Sequence, residues 1–190
     1  MNEDMTDSAG SYDGSIHGAA AFSDSALQLA SVGDYAQIPA GINIGSNGTY
    51  TFNVWVKLDN HDNRQVLLSD HVTGSIYPSI MIQTLETTGL VKIWHYPSNA
   101  NSGNQQSFTS TGAVAVGQWT MISVVWLDGE IAVYFDGQYD SHGTMTVTPY
   151  SSGVPYRVGA DTYAGVHVRG FMDDLSIYNV ALLDRDWETK

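Results

Sequence analysis

Period-two alternation of apolar and polar residues, cut at short intervals by Asp-Gly and Asn-Gly pairs, is the strongest constraint on what this chain can fold into. Gln118 to Leu127 alternates, setting Ile122, Val124 and Trp126 against Met121, Ser123 and Val125. Asp128-Gly129 then turns directly into Ile131-Ala132-Val133-Tyr134-Phe135, and Asp136-Gly137 turns again. Both pairs accept the positive φ that a two-residue hairpin demands, so the segment reads as an antiparallel meander. Trp119 and Trp126 are assigned to the core or to packing between strands. In Thr51 to Leu58, Phe52, Val54, Val56 and Leu58 share one face and Asn53, Trp55 and Lys57 the other. The first of these faces belongs between two sheets. Further strands are expected at Tyr35 to Ile38, Gln65 to Asp70, Ile76 to Leu85, Leu90 to Tyr96, Thr144 to Thr148 and Pro155 to Val158. Pro78 must then sit at a strand start or an edge. Residues 1 to 24, rich in Asp, Ser, Gly and Ala without a sustained period, read as an irregular arm. The fold class is all-β, an antiparallel two-sheet β-sandwich formed as one domain over residues 1 to 190.

The stretch Gly165 to Leu182 joins the same alternation to an acidic pair, Asp173-Asp174. Neighbouring strand residues point to opposite faces, so only one of the two can look inward. An inward carboxylate needs a cation or several hydrogen-bond donors.

The phrase Gly170-Phe171-Met172-Asp173-Asp174-Leu175-Ser176-Ile177-Tyr178-Asn179-Val180-Ala181-Leu182 resembles the closing strand of laminin-G-like jelly-roll modules in the concanavalin A-like lectin/glucanase superfamily. Asp34-Tyr35 with Ile38-Pro39, Thr51 to Lys57, Gly117-Gln118-Trp119-Thr120, Val133 to Gly137 and Val158 to Asp161 resemble other phrases of that family, in its order, over residues 7 to 182. The resemblance implies a jelly roll of about a dozen strands. It also implies that the arm, with Asp7-Ser8-Ala9-Gly10 and Asp13-Gly14, lies beside the closing strand. Asp7 and Asp173, completed by backbone carbonyls, would then form the oxygen-rich cage that Ca2+ prefers, in a structural role. Alternatively, Asp7 and Asp13 are turn formers that hydrogen-bond their own backbone.

Charge excludes several functions. With 20 acidic against 7 basic residues the net charge is −13, which repels nucleic acid and anionic lipid. The absence of cysteine removes disulfides, thiolate chemistry and cysteine metal sites. No run approaches the length of a membrane span, and Met1-Asn2-Glu3-Asp4 does not open a signal peptide. Either export uses a signal elsewhere or the chain is a module of a longer protein flanked by other domains, and the second reading is preferred.

Two places can bind a ligand. In Leu90 to Tyr96, if Val91 and Ile93 face the core, Trp94 and Tyr96 face out. Flat rings stack on the apolar faces of sugars, and a curved sheet offers a groove for them. The alternative is that Trp94 packs under the polar loop Pro97 to Gln106. The second place is the loop Asp161 to His167, where Asp161, Tyr163 and His167 offer an acceptor, a ring and a switchable donor, although an ordinary surface loop is the preferred reading there.

Catalysis finds no pattern. Glycoside hydrolysis with retention needs two carboxylates about 5 Å apart, which on a strand means spacing i and i+2 or i+4. The glutamates stand apart at Glu3, Glu86, Glu130 and Glu188, and Asp173 and Asp174 are adjacent. The histidines at 17, 61, 71, 95, 142 and 167 form no HExxH, and there is no Gly-x-Ser-x-Gly. The expectation is a non-catalytic, lectin-like module for a glycan or cell-surface glycoconjugate, extracellular and calcium-stabilised. The other class is a structural or protein-docking module of an adhesin that binds no sugar.

Overall fold

The computed structural model describes residues 5–74, 76–99, 103–162 and 166–182, and among them it contains strands and no helix. The strands are β1 (Ser15–His17), β2 (Ala21–Ser23), β3 (Ala26–Leu29), β4 (Tyr35–Ile38), β5 (Thr49–Leu58), β6 (Gln65–Ser69), β7 (Ile80–Thr84), β8 (Leu90–His95), β9 (Gln106–Ala113), β10 (Thr120–Leu127), β11 (Glu130–Phe135), β12 (Gln138–Thr144), β13 (Tyr156–Val158) and β14 (Gly170–Tyr178). They form two seven-stranded antiparallel sheets, ordered β1-β4-β13-β6-β7-β8-β9 and β12-β11-β10-β5-β14-β3-β2. This is the two-sheet sandwich that the alternation predicts, consistent with the jelly roll that the resemblance implies.

The core lies between the sheets. Phe52, Val54, Val56 and Leu58 of β5 are fully buried, as are Val91 and Ile93 of β8 and Ile122 and Val124 of β10. Each such side chain contributes about 1.5–3 kcal/mol of transfer free energy, so alternation in the sequence becomes the cohesion of the sandwich. The meander forms as expected, with φ of 50° at Asp128 and 85° at Gly129 in the first turn. Pro78 falls just before β7.

Four expectations are corrected. The arm is not wholly irregular, because β1 pairs with β4 and β2 with β3. No strand runs from Thr144 to Thr148, since β12 ends at Thr144 and no further ladder partner is offered beyond β11. Trp126 is core, donating its indole N–H to the Met145 carbonyl at 2.7 Å, but Trp119 is 41% exposed beside Phe171. Lying just before β10, Trp119 is outside the alternation that buries Trp126. Finally, β14 does not alternate throughout. Asp174 adopts φ 45° in a bulge that sets Asp174 and Leu175 against Val54, between the pairs Asp173–Trp55 and Ser176–Asn53. Asp173 and Asp174 therefore do not divide between core and solvent, and the residues packed on the core are Met172 before the bulge and Leu175 and Ile177 from the bulge onward. The sequence of the tail from Leu182 to Glu188 suits a last helical turn with Asp184 as its cap, and residues 183–190 lie outside the described residues.

The two outer faces differ. After β14 the chain crosses the second sheet, held by Thr51, whose Oγ1 donates to the Val180 carbonyl at 2.8 Å and accepts the Leu182 N–H at 3.0 Å. Ala181 thereby packs on Val125, Ala132 and Tyr134. The first sheet carries on its outer face the side chains that concern function.

Candidate functional site

Alternation in β8 turns Val91, Ile93 and His95 inward and Lys92 and Trp94 outward, with Tyr96 continuing the outward set. Trp94 and Tyr96 are half-buried, and their ring centroids are 6.2 Å apart. The row continues beyond β8: Tyr77 lies 6.1 Å from Tyr96, stacked at 28°, and the His71 ring lies 6.3 Å from Tyr77. Tyr77 is 39% exposed. Four rings thus form a band on the outer face of the first sheet.

The band is held by its backbone. Asn99 Oδ1 accepts the Tyr77 N–H at 2.7 Å, and the Tyr150 hydroxyl donates to the Tyr77 carbonyl. Burial, and then the charge of Asp70, push the Tyr150 hydroxyl up to about 12. The Tyr96 N–H donates to the Ser79 carbonyl at 3.0 Å, and the Tyr150 N–H to the Tyr96 carbonyl at 3.1 Å. Such fixing reduces the ordering entropy that a ligand would otherwise have to supply.

At the His71 end, His71 Nδ1–H donates to Asp161 Oδ1 at 2.8 Å, and the Thr162 N–H donates to the same oxygen at 2.6 Å. The Asp161 side chain is fully buried. His167 is 4% exposed and bridges to Ala160. The Asp161 N–H donates to the Val166 carbonyl and the Val168 N–H to the Gly159 carbonyl. Pairing of 159–161 with 166–168 therefore folds this segment inward, so Asp161 and His167 stand beneath the surface instead of forming the open rim loop expected of them. Tyr163 lies outside the described residues. Asp161 joins the ring band through His71, whereas His167 acts on Asp34 through charge alone: the Asp34 carboxyl is pressed upward by burial but drawn lower overall by the Ser31, Ala19 and Ala30 N–H groups and by His167.

At the Trp94 end the surface dips into a cavity of about 460 Å³ lined by Asn63, Arg64, Gln83, Glu86, Lys92 and Val166, among others. The Lys92 ammonium lies 4.3 Å from the Trp94 ring centroid. Burial and then Tyr77 raise the Tyr96 hydroxyl above its ordinary value, while the charge of Arg64 pulls it the other way. Tyr77, His71, Arg64 and Gln83 escaped the sequence reading. Gln83 had a signal: in Ile80 to Thr84 the core residues Ile80 and Ile82 alternate with Met81 and Gln83, which pair with Trp94 and Lys92 on β8.

Asp7 and Asp173 line a second cavity, of about 820 Å³, between the arm and β14. The Asp7 carboxylate accepts the Ala9 N–H on one oxygen and the Tyr12 N–H on the other, at 2.9 and 3.0 Å, and these donors hold it below the usual carboxylate range. Asp173 accepts the Asp174 N–H at 2.8 Å. Among the described residues no three His, Cys, Asp or Glu side chains gather as a metal-ligand group.

The family model described as the concanavalin A-like lectin/glucanases superfamily, laminin-G type, matches residues 30–186. The chain belongs to this superfamily. Its fold is similar to domain 4 of AbnA, an extracellular GH43 arabinanase from Geobacillus stearothermophilus solved with arabinotriose, at TM-score 0.74 and 20% identity over 95% of this chain and 89% of that one. It is also similar to the Ruminococcus gnavus IT-sialidase CBM40 bound to α2,3-sialyllactose, at TM-score 0.60 and 13% identity over 72% and 78% of the two chains. The binding domain of botulinum neurotoxin DC, solved with rat synaptotagmin II, matches at TM-score 0.69 and 11% identity over 93% of this chain, which spans 45% of that one. At these identities the likeness is one of fold.

Proposed function

We propose that this domain is a non-catalytic carbohydrate-binding module whose platform is the band Trp94, Tyr96 and Tyr77. One observation carries the reading: Tyr96 lies 6.2 Å from Trp94 and 6.1 Å from Tyr77, so the rings follow one another along an outer sheet face, on backbone clamped by Asn99, Ser79 and Tyr150. An ordered, partly exposed row of rings is what a sugar chain stacks on, ring by ring. The sugars bound by the similar arabinanase domain and sialidase module support the same reading. Asp161 is committed to His71 and shielded from solvent, so it is not one of a pair of carboxyls flanking a glycosidic bond.

The setting is a secreted or cell-surface protein in which other domains flank this one, as domain 4 sits in the extracellular arabinanase. Net charge −13 argues against nucleic acid as a partner. Structural calcium between Asp7 and Asp173 belongs to the same proposal: both residues line one cavity, and an all-oxygen donor set suits a hard cation.

The test is a glycan array probed with the domain in calcium and in chelator, followed by Trp94→Ala. Binding is expected, and the substitution should weaken it at least ~10-fold, as loss of a well-packed aromatic contact does, while the melting temperature moves little because the ring is half-buried. Silence on the array with a folded protein would instead make the band a protein-docking surface, and a large loss of stability in Trp94→Ala would make the ring structural.

A further inference from the structure

We infer that the cavity beside Trp94 receives the carboxylate of an acidic sugar, so that the module prefers uronate- or sialate-type glycans to neutral ones. The inference rests on the ring band being the platform, and it names what that platform's end selects. Three observations converge on it.

The first is unpaired positive charge. The chain has only seven Lys and Arg, yet Arg64 and Lys92 both line this one cavity. Both are half-buried, and among the described residues neither has a carboxylate within ion-pair distance; the ion pair present is His71–Asp161. A partly desolvated cation without a counter-charge loses hydration, a loss that for Lys92 the Trp94 ring offsets only in part. An anion supplied by a ligand would change that. Glu86, the one carboxylate on the lining, is exposed and screened by water.

The second is a buried amide. Gln83 is 3% exposed, and its amide oxygen has no hydrogen-bond partner among the described residues. Buried polar groups are normally partnered, and an unmet one costs about 1–3 kcal/mol. The amide belongs to the lining of the same cavity. Two cations beside one amide suit a hydroxy acid, in which a carboxylate and a neighbouring hydroxyl are fixed on one ring, better than a bare anion.

The third is continuity. Lys92 lies over Trp94, and the Arg64 charge reaches the Tyr96 hydroxyl, so the cavity opens where the band ends. Its 460 Å³ falls within the range of small-molecule sites. A chain stacked on Tyr77, Tyr96 and Trp94 would deliver its terminal or next sugar to the cations.

The experiment uses the unaltered domain and paired ligands: oligogalacturonate, oligoglucuronate and α2,3-sialyllactose, each beside its carboxyl-reduced neutral form, titrated by calorimetry at low and physiological salt. At least one acidic member should bind ~10-fold or more tightly than its reduced form, the gap narrowing with salt. In the double variant Arg64→Gln/Lys92→Gln, checked by its melt, the acidic and reduced forms should bind alike, the ratio of the two affinities being the readout. Equal binding of an acidic sugar and its reduced form would overturn the inference and leave the ring platform standing. So would binding confined to neutral glycans, or an acidic preference that survives in the double variant. Loss of every sugar, acidic and neutral, would remove both readings together.

Discussion

His95 shows how one side chain ties the core to solution conditions. It points inward from β8 and is fully buried. Its Nδ1 lies 2.9 Å from the Val147 carbonyl, which can only accept, so Nδ1 carries the proton and Nε2 accepts from the Tyr50 hydroxyl, also at 2.9 Å. The ring meets Trp126 edge-on at 4.9 Å. Burial, opposed by the bond to Val147, lowers its pKa from 6.5 to about 4. As pH falls the unfolded chain takes this proton first, so stability drops between pH 6.5 and about 4 by roughly 3 kcal/mol and levels off below. His95→Gln should cost ~2 kcal/mol at pH 7 and flatten that decline; urea unfolding from pH 7.5 to 4 measures both. Parallel pH profiles for the two proteins would remove His95 as the cause. The outward turn of Trp94 and Tyr96 was legible because parity along a strand fixes the face. Tyr77, His71 and Arg64 were not, since they lie between strands, where spacing encodes no contact.

At the scale of elements, β14 carries both the clearest pattern and its failure. Met172 and Ile177 both face the core, yet five positions separate them, and an odd separation cannot share a face of a regular strand. The bulge at Asp174 absorbs the extra residue. The acidic pair was visible in the sequence; that one of its members would take positive φ was not, although Asp tolerates it better than most residues. At the start of the strand Gly170 has φ 137°, and a Cβ there would meet the Lys57 carbonyl oxygen at 2.0 Å, a backbone contact that cannot give way cheaply. Gly170→Ala should therefore destabilise by more than about 3 kcal/mol or prevent folding. Asp174→Gly, at a position where φ is 45°, should stay within about 1 kcal/mol of the parent. Chemical denaturation of the pair compares them directly, and similar losses would mean that register in β14 is set elsewhere than at its glycine and its bulge.

Across the whole molecule charge is unevenly placed. Arg64, Lys92 and Arg157 sit with the first sheet, Arg157 over the Tyr35 ring at 4.4 Å, while Asp7, Asp173 and Asp174 line the cavity beneath the arm. The sandwich as a whole was legible, since alternating strands and Asp-Gly turns leave little else to build. This charge map was not, because it depends on which strands become neighbours. Burial, and then the Asp174 charge, press the Asp173 carboxyl upward against the pull of the Asp174 N–H, and Asp7 is held ionised by its backbone donors. A divalent cation between them would offset the penalty on Asp173 and tie the arm to the closing strand. At fixed ionic strength, replacing calcium with chelator should then lower the melting temperature by roughly 3 to 6 °C for a linkage of ~1 to 2 kcal/mol in a chain of this size. Sodium at matched ionic strength should not restore the loss, because screening of net charge −13 acts on all carboxylates alike. Asp7→Asn and Asp173→Asn should each abolish the calcium increment. An unchanged melt in the parent protein would leave Asp7 as what its bonds to Ala9 and Tyr12 also make it, a turn former that shapes the arm without a metal.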